Sequence, residues 1–103
     1  MTEKILAGVS VNVNTEGYFE DPKQWNKDMA VEMASEYEIQ LTDKHFAVLE
    51  FLRNKYLAGE QLTIRKIGTS GITDIKEFYQ LFPGGPLKIS SKLAGIPKPT
   101  SCV

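Results

Sequence analysis

The side chain most able to do chemistry in this sequence is Cys102, the only cysteine among its 103 residues. It follows a segment in which Pro97 and Pro99 flank Lys98. The two prolines lack backbone donors and hold φ near the polyproline value, so this segment joins neither a helix nor a central strand. In extended form, the seven steps from Gly95 to Cys102 span roughly 20 Å. The pattern favours a reactive thiol on an extended arm over an incidental cysteine at a chain end.

Length and composition predict one small domain, large enough to bury roughly two-thirds of its unfolded surface. One cysteine excludes an intramolecular disulfide and a multi-cysteine metal site, which fits a reducing compartment. No apolar run approaches the roughly 18 residues that span a bilayer, and the first residues lack the order of a signal peptide. We therefore expect a cytoplasmic protein without membrane partner, metal or cofactor.

The charge distribution is uneven along the chain. Residues 1–52 carry four lysines against ten acidic side chains, whereas residues 53–103 carry eight basic side chains against three acidic ones. The half that contains the thiol is therefore basic. Such a surface suits an anionic partner or a thiolate, and solvated lysines are the commonest explanation for it.

The N-terminal third shows strand and helix signals. Alternation of valine with polar residues over 9–13 predicts a half-buried strand, and its flanking turn residues favour a small hairpin. Asp21 and Pro22, with Gln24 at capping-box spacing, predict a helix that begins at Pro22. Apolar residues then recur at every fourth position, namely Trp25, Met29, Met33 and Tyr37. We expect this stripe to pack in the core.

A second helix is predicted from its cap and its stop. Thr42 is placed to cap it, and Gly59 ends it. His45 lies in its first turn with no second histidine or cysteine nearby. We therefore expect His45 at the helix surface or its boundary, and not as a metal ligand.

Residues 63–82 have the outline of a helix-turn-helix, a short helix stopped by Gly68 and a second one capped by Thr73. A DNA reader needs groups that suit a phosphate-lined groove. The second helix instead carries Asp74 and Glu77 against the single Lys76. A compact helical corner is favoured over direct DNA binding.

A last short helix begins at Pro86 and runs to Leu93, with Gly95 as its stop. The predicted fold is thus mainly α (α+β): an N-terminal β-hairpin, a helical body with a helix-turn-helix-like corner, and an extended arm. We place the compact domain at residues 1–95. The arm is residues 96–103, and we expect it to be mobile and to add little to the stability of the body.

The C-terminal part of the chain resembles a known signature. The sequences LFPGGP at 81–86 and KLAGIPKPTSCV at 92–103 closely resemble the C-terminal motif of the DsrC/TusE family. Weaker similarity covers Thr15-Glu16-Gly17-Tyr18, Gln24-Trp25, Leu41-Thr42 and Phe51-Leu52-Arg53. The resemblance therefore spans nearly the whole chain.

This resemblance implies a sulfur-carrier protein that accepts and donates persulfide sulfur through Cys102. The implied partners are sulfur-donor and sulfur-acceptor proteins, among them a tRNA-thiolating complex or sulfite reductase. No independent catalytic machinery is implied, so whether such a sulfurtransferase-type carrier counts as an enzyme stays open.

Two branches of the family differ at the position of Ser91. DsrC proteins, partners (gamma subunits) of dissimilatory sulfite reductase, have a second cysteine there, and a serine hydroxyl forms no disulfide. TusE-type carriers of the relay that makes 2-thiouridine in tRNA resemble this chain in keeping one cysteine. The resemblance therefore favours the TusE branch, and a DsrC-like or a non-transferring regulatory or DNA-binding homologue stays the alternative.

The chemistry of a one-cysteine carrier requires a thiolate. An unperturbed cysteine has a pKa of about 8.5, so the thiol form dominates at neutral pH unless cations are near. Lys98 is roughly 12 Å from Cys102 along an extended arm. We therefore expect Arg65, Lys88 and Lys92 on the body to support the thiolate, each with the alternative that it is an ordinary solvated charge.

Overall fold

The computed structural model describes residues 2–99. Two strands are followed by helices that enclose a single apolar core. The elements are β1 (Thr2–Leu6), β2 (Val9–Val13), a 3-10 turn (Pro22–Gln24), α1 (Lys27–Glu36), α2 (Asp43–Leu57), α3 (Ile64–Gly68), α4 (Ile75–Leu81) and α5 (Pro86–Leu93). The predicted order of a hairpin followed by short helices is confirmed.

The N-terminal hairpin is a two-stranded antiparallel sheet in which Leu6 pairs with Val9. Its two-residue turn places Ala7 at φ 50° and Gly8 at φ 78°, the positive values that a tight hairpin turn requires. The inner face buries Leu6, Val11 and Val13 against the core. The alternation of the second strand is what sets this face.

The prediction of a helix that begins at Pro22 is wrong. Asp21 caps only a single 3-10 turn, after which Trp25 is extended and Asn26 caps α1. The Gln24 side chain does not complete a capping box, because its Oε1 accepts a hydrogen bond from the backbone N–H of Asn12 at 2.9 Å. Trp25 is thereby left outside the helix and is available for contacts elsewhere.

The start of α2 ties this helix to α4. Thr42 caps it as predicted, and His45 completes a capping box. The backbone N–H of Thr42 donates to Nδ1 of His45 at 3.1 Å, so the proton is on Nε2, which donates to the Leu81 carbonyl at 2.9 Å. His45 is buried beside the Phe82 ring, not at the helix surface or boundary as predicted.

The predicted corner between α3 and α4 is present, with one change of cap. Asp74, not Thr73, accepts the hydrogen bond from the Glu77 backbone N–H, and the Thr73 hydroxyl bonds to the Glu77 carboxylate instead. A side chain at Gly68 would overlap Ile75, so the two helices approach closely there. The corner is therefore a packed structural element.

The last helix, α5, is the most buried element of the body. It packs against α1, α2 and α4. Its buried residues are Pro86, Leu87, Ile89, Ser90, Ser91 and Leu93. Within residues 2–99, no helix is long and apolar enough to cross a bilayer.

Candidate functional site at the base of the C-terminal arm

Cys102 lies outside the described residues, so its role stays a prediction from the sequence. The structure does describe the arm as far as Pro99 and the body from which it departs. The candidate site is accordingly the end of α5, residues 94–99, and the side chains that contact them.

The end of α5 has a well-defined hydrogen-bonding pattern. Gly95 at φ 66° donates to the Lys92 carbonyl at 3.1 Å, and Ile96 donates to the Ser91 carbonyl at 3.2 Å. These two bonds form a Schellman motif, in which the residue after the glycine commonly makes an apolar contact with the last turn. The turn therefore directs Ile96 back onto the body.

Ile96 is fully buried in the core, which differs from its predicted place as the first residue of a mobile arm. The reason is the Schellman turn, which returns the chain to the body for one residue beyond Gly95. Pro97 and Pro99 are partly buried, and Lys98 is exposed. The division of the chain at 95 and 96 stays a prediction, and the packing of Ile96 argues for a boundary after it.

Two side chains from distant elements bond to the end of α5. The indole Nε1–H of Trp25 donates to the Leu93 carbonyl at 2.7 Å, and the Arg53 guanidinium donates to the Ala94 carbonyl at 2.9 Å. A side chain at Gly95 would overlap the Trp25 indole. Burial lowers the pKa of Arg53, which nonetheless stays charged at neutral pH.

Beyond Ile96 the arm borders a groove on the body. The groove has a volume of about 590 Å³. Tyr56, Leu57 and Leu62, from the end of α2 and the loop after it, line one side of the groove, and Pro97 and Pro99 line the other. The extended prolines therefore run beside the α2–α3 connection.

A salt bridge attaches the arm to the loop after the hairpin. Lys98 Nζ lies 2.9 and 3.1 Å from the two carboxylate oxygens of Glu16. The hydrogen bond from Lys98 is the main reason that the pKa of Glu16 is below its ordinary value, and the charges of Lys98, Lys88 and Lys92 add to it. The positive charges of these three lysines thus all act on one carboxylate, and Lys98 is the one in contact with it.

The pKa of Glu16 makes this contact dependent on pH in a defined direction. Because the folded pKa is lowered, the ion pair is present above the ordinary carboxyl range and is lost as pH falls through the lowered pKa. As the pH is lowered, we expect the NMR signals of Lys98 to stay constant through the ordinary carboxyl range and to shift only below it. In Glu16→Gln they should already have the shifted values at pH 7, and in Glu20→Gln, the matched control, they should be as in wild type. A Glu16 that titrates in the ordinary range would contradict the pairing.

The predicted thiolate-supporting residues are not all placed together. Lys88 and Lys92 lie on α5 and act on the same carboxylate, Glu16. Lys92 also lies 5.2 Å above the Tyr18 ring. Arg65 is exposed on α3, which packs against α4. Because Cys102 lies outside the described residues, the role of each cation stays a prediction.

Ser91 is fully buried on α5, and its hydroxyl has no hydrogen-bond partner within residues 2–99. A buried hydroxyl without a partner is destabilising, whereas a thiol at the same place is a weaker hydrogen-bonding group. The position is therefore better suited to an apolar or thiol side chain.

Within the part of the chain that the structure describes, residues 2–99, no group of three or more His, Cys, Asp or Glu side chains is placed to hold a metal ion.

Comparison with known proteins assigns the chain to a family. A family model described as "DsrC like protein" matches residues 5–103. The chain belongs to the DsrC-like family. Sulfurtransferase TusE of Escherichia coli K12 is 34% identical over 107 residues, which cover 96% of this DsrC-like chain and 98% of the relative. TusE of Salmonella typhimurium is 33% identical with the same coverage.

Solved structures of the family confirm the fold of this DsrC-like chain. The oxidized gamma-subunit of dissimilatory sulfite reductase (DsrC) from Archaeoglobus fulgidus has a TM-score of 0.80 at 26% identity, covering 99% of this chain and 100% of that one. DsrC from Allochromatium vinosum has a TM-score of 0.79 at 32% identity, covering 98% and 97%. The predicted small α+β fold and the predicted family are both confirmed.

Sequence reasoning missed the side chains that hold the base of the arm. Glu16, Trp25 and Arg53 all lie in segments that carry the weaker family similarity, yet no contact with the arm was predicted for any of them. Their contacts to the arm base join residues 41 to 82 positions apart. No local pattern in a single sequence indicates such pairs.

Proposed function

We propose that this protein is a sulfur carrier of the TusE type, in which Cys102 accepts sulfur as a persulfide and donates it to a second protein. The observation that carries the proposal is a sole cysteine three residues beyond Pro99, on an arm whose base is fixed to the body. Membership of the DsrC-like family and full-length similarity to sulfurtransferases named TusE support it.

The transfer step needs no cofactor to balance it. The Cys102 thiolate attacks the outer sulfur of the donor's persulfide, and a new S–S bond forms as the donor's S–S bond breaks. The donor leaves as a thiolate, and Cys102 becomes the persulfide, so no net oxidation or reduction occurs. The same exchange in the other direction delivers the sulfur to the acceptor thiol.

The body contributes charge to this chemistry. Lys88 and Lys92, at the base of the arm, favour an anionic thiolate or persulfide over the neutral form when the arm is close. Arg65 stays a candidate for the same role from α3. Salt screens such exposed charges over about 10 Å, so their effect should weaken at high ionic strength.

Intact-mass measurement tests the assignment of Cys102. After incubation with a persulfide donor, the wild-type protein should gain one sulfur atom, and Cys102→Ser should gain none. Dithiothreitol should remove the added sulfur, because it reduces a persulfide. A wild-type chain that gains no sulfur from several persulfide donors would refute the proposal.

We further propose that the acceptor belongs to a tRNA-thiolating complex. Support comes from Ser91, since a chain with one cysteine transfers sulfur by simple exchange and forms no intramolecular disulfide. Mass spectrometry of tRNA from a deletion strain tests this: loss of the 2-thio group from wobble uridine, restored by wild type and not by Cys102→Ser, is expected. Unchanged thiolation in the deletion strain would argue against this acceptor.

A second candidate is a partner of dissimilatory sulfite reductase. It is favoured by the structural similarity to a chain in dissimilatory sulfite reductase I (DsrI), with a TM-score of 0.82 at 31% identity. Binding to a purified sulfite reductase would favour it. Absence of binding, together with lost tRNA thiolation, would favour the TusE-type role.

A further inference from the structure

The carbonyl groups at the end of α5 are satisfied in an unusual way. The last carbonyls of a helix have no partner within the helix and commonly bond to water. Here the carbonyls of residues 90–92 accept from the backbone N–H groups of residues 94–96. The next two, those of Leu93 and Ala94, accept from Trp25 and Arg53, which come from other parts of the chain.

Trp25 and Arg53 also hold each other. The Arg53 guanidinium lies 4.3 Å from the centre of the Trp25 ring, a cation–π distance. Its second nitrogen donates to the Pro22 carbonyl at 3.0 Å, which ties the 3-10 turn to the same guanidinium. Trp25 in turn fills the space that a side chain at Gly95 would need. The two side chains therefore contact the turn from which the arm departs.

We propose that Trp25 and Arg53 form a clamp that fixes the direction in which the C-terminal arm leaves the body. They are positioning residues for sulfur transfer, not catalytic ones, because they touch the base of the arm. The role of the clamp in sulfur transfer rests on the proposed function. The effect of the clamp on the arm is measured in a protein that carries no persulfide.

The direction in which the arm leaves the body matters because a small change of angle at its base becomes a large displacement further along an extended arm. In a fully extended arm Cys102 would lie at most roughly 20 Å from Gly95, so a swing of about 30° at the base would displace the thiol by up to about 10 Å. Persulfide exchange requires the two sulfur atoms in contact, and a misplacement of only about 1 Å can slow a reaction strongly. A fixed base therefore restricts the volume that Cys102 has to search.

A purely stabilising role makes a different prediction. If the clamp only holds α2 to α5, its loss lowers the unfolding temperature but leaves the arm pointing as before in the molecules that stay folded. If the clamp sets the direction of the arm, its loss lets the arm sample a wider region at temperatures where the protein is still fully folded. The distribution of the arm in the folded state therefore separates the two roles.

The test uses a nitroxide spin label on Cys102 and the NMR broadening that it causes on the amides of the body. Trp25→Phe keeps an aromatic ring against Gly95 but removes the Nε1–H donor. Arg53→Lys keeps the positive charge but replaces the planar guanidinium, whose two nitrogens reach the Ala94 and Pro22 carbonyls, by a single nitrogen. Leu6→Ala, which empties space in the buried face of the hairpin, is the control for lost stability.

We expect the broadened amides of wild type to cover one sector of the surface. In Trp25→Phe and Arg53→Lys they should cover at least about twice that area, and in Leu6→Ala they should match wild type. Unchanged broadening in both clamp variants, or equal spreading in Leu6→Ala, would overturn the proposal. None of these outcomes depends on whether Cys102 carries sulfur.

Discussion

Deletion of Pro97–Pro99 is expected to abolish sulfur transfer between proteins while leaving the thermal unfolding of the body nearly unchanged. The deletion shortens the maximum reach of the arm by roughly 9 Å, so we expect that the thiol no longer reaches a partner's active site. Loading from inorganic polysulfide should persist, because a small donor needs no reach. Intact-mass measurements of loading and of transfer to an acceptor protein check both results.

A deletion that begins one residue earlier should behave differently. Removal of Ile96–Pro99 takes a fully buried side chain out of the core. Loss of a large aliphatic side chain from a core costs about 2–5 kcal/mol, so this variant should lose stability as well as transfer. Equal unfolding temperatures for the two deletions would show that Ile96 belongs to the arm, as the sequence alone predicts.

The second large effect is expected at Gly95, on stability. Gly95→Ala places a side chain at φ 66° and against the Trp25 indole. The left-handed backbone costs about 1–2 kcal/mol and overpacking about 1–3 kcal/mol, for a loss of about 2–5 kcal/mol. For a domain of this size the unfolding temperature should fall by at least about 10 °C, as measured by calorimetry or circular dichroism.

Gly59 supplies the matched control for this variant. Gly59 has φ 79°, but a side chain there would meet open space, so Gly59→Ala carries only the backbone strain. Its loss should be about 1–2 kcal/mol. Adding Trp25→Ala to Gly95→Ala should relieve the overlap, so the two effects should not add. Additive effects would mean that the indole and residue 95 do not conflict.

Local patterns in the sequence predicted most of the elements of this fold. Alternating valines indicated β2, Thr42 marked the start of α2, and Gly59 and Gly95 marked helix ends, because each of these signals acts within a few residues. The prediction of a helix that begins at Pro22 was wrong because of a contact between distant parts of the chain. Gln24, the side chain expected to complete the capping box, instead accepts a hydrogen bond from the backbone of β2.

The site could be predicted only in part. A single cysteine beyond two prolines indicated the chemistry, and the C-terminal motif indicated the family. The burial of Ile96 was not foreseen, because a Schellman turn and a simple helix stop carry the same glycine in the sequence. The clamp was not foreseen either, since its hydrogen bonds depend on where the folded chain brings Trp25 and Arg53.

The position of Trp25 has a practical consequence for following the arm. Trp25 is the only tryptophan and Cys102 the only cysteine in the sequence, so one natural fluorophore lies at the base of the arm and one natural labelling site follows Gly95 by seven residues. An acceptor dye on Cys102 therefore forms an energy-transfer pair with the indole of the native sequence. Binding of a partner protein that moves Cys102 away from the body should increase the tryptophan fluorescence. Binding of one that holds Cys102 against the body should decrease it.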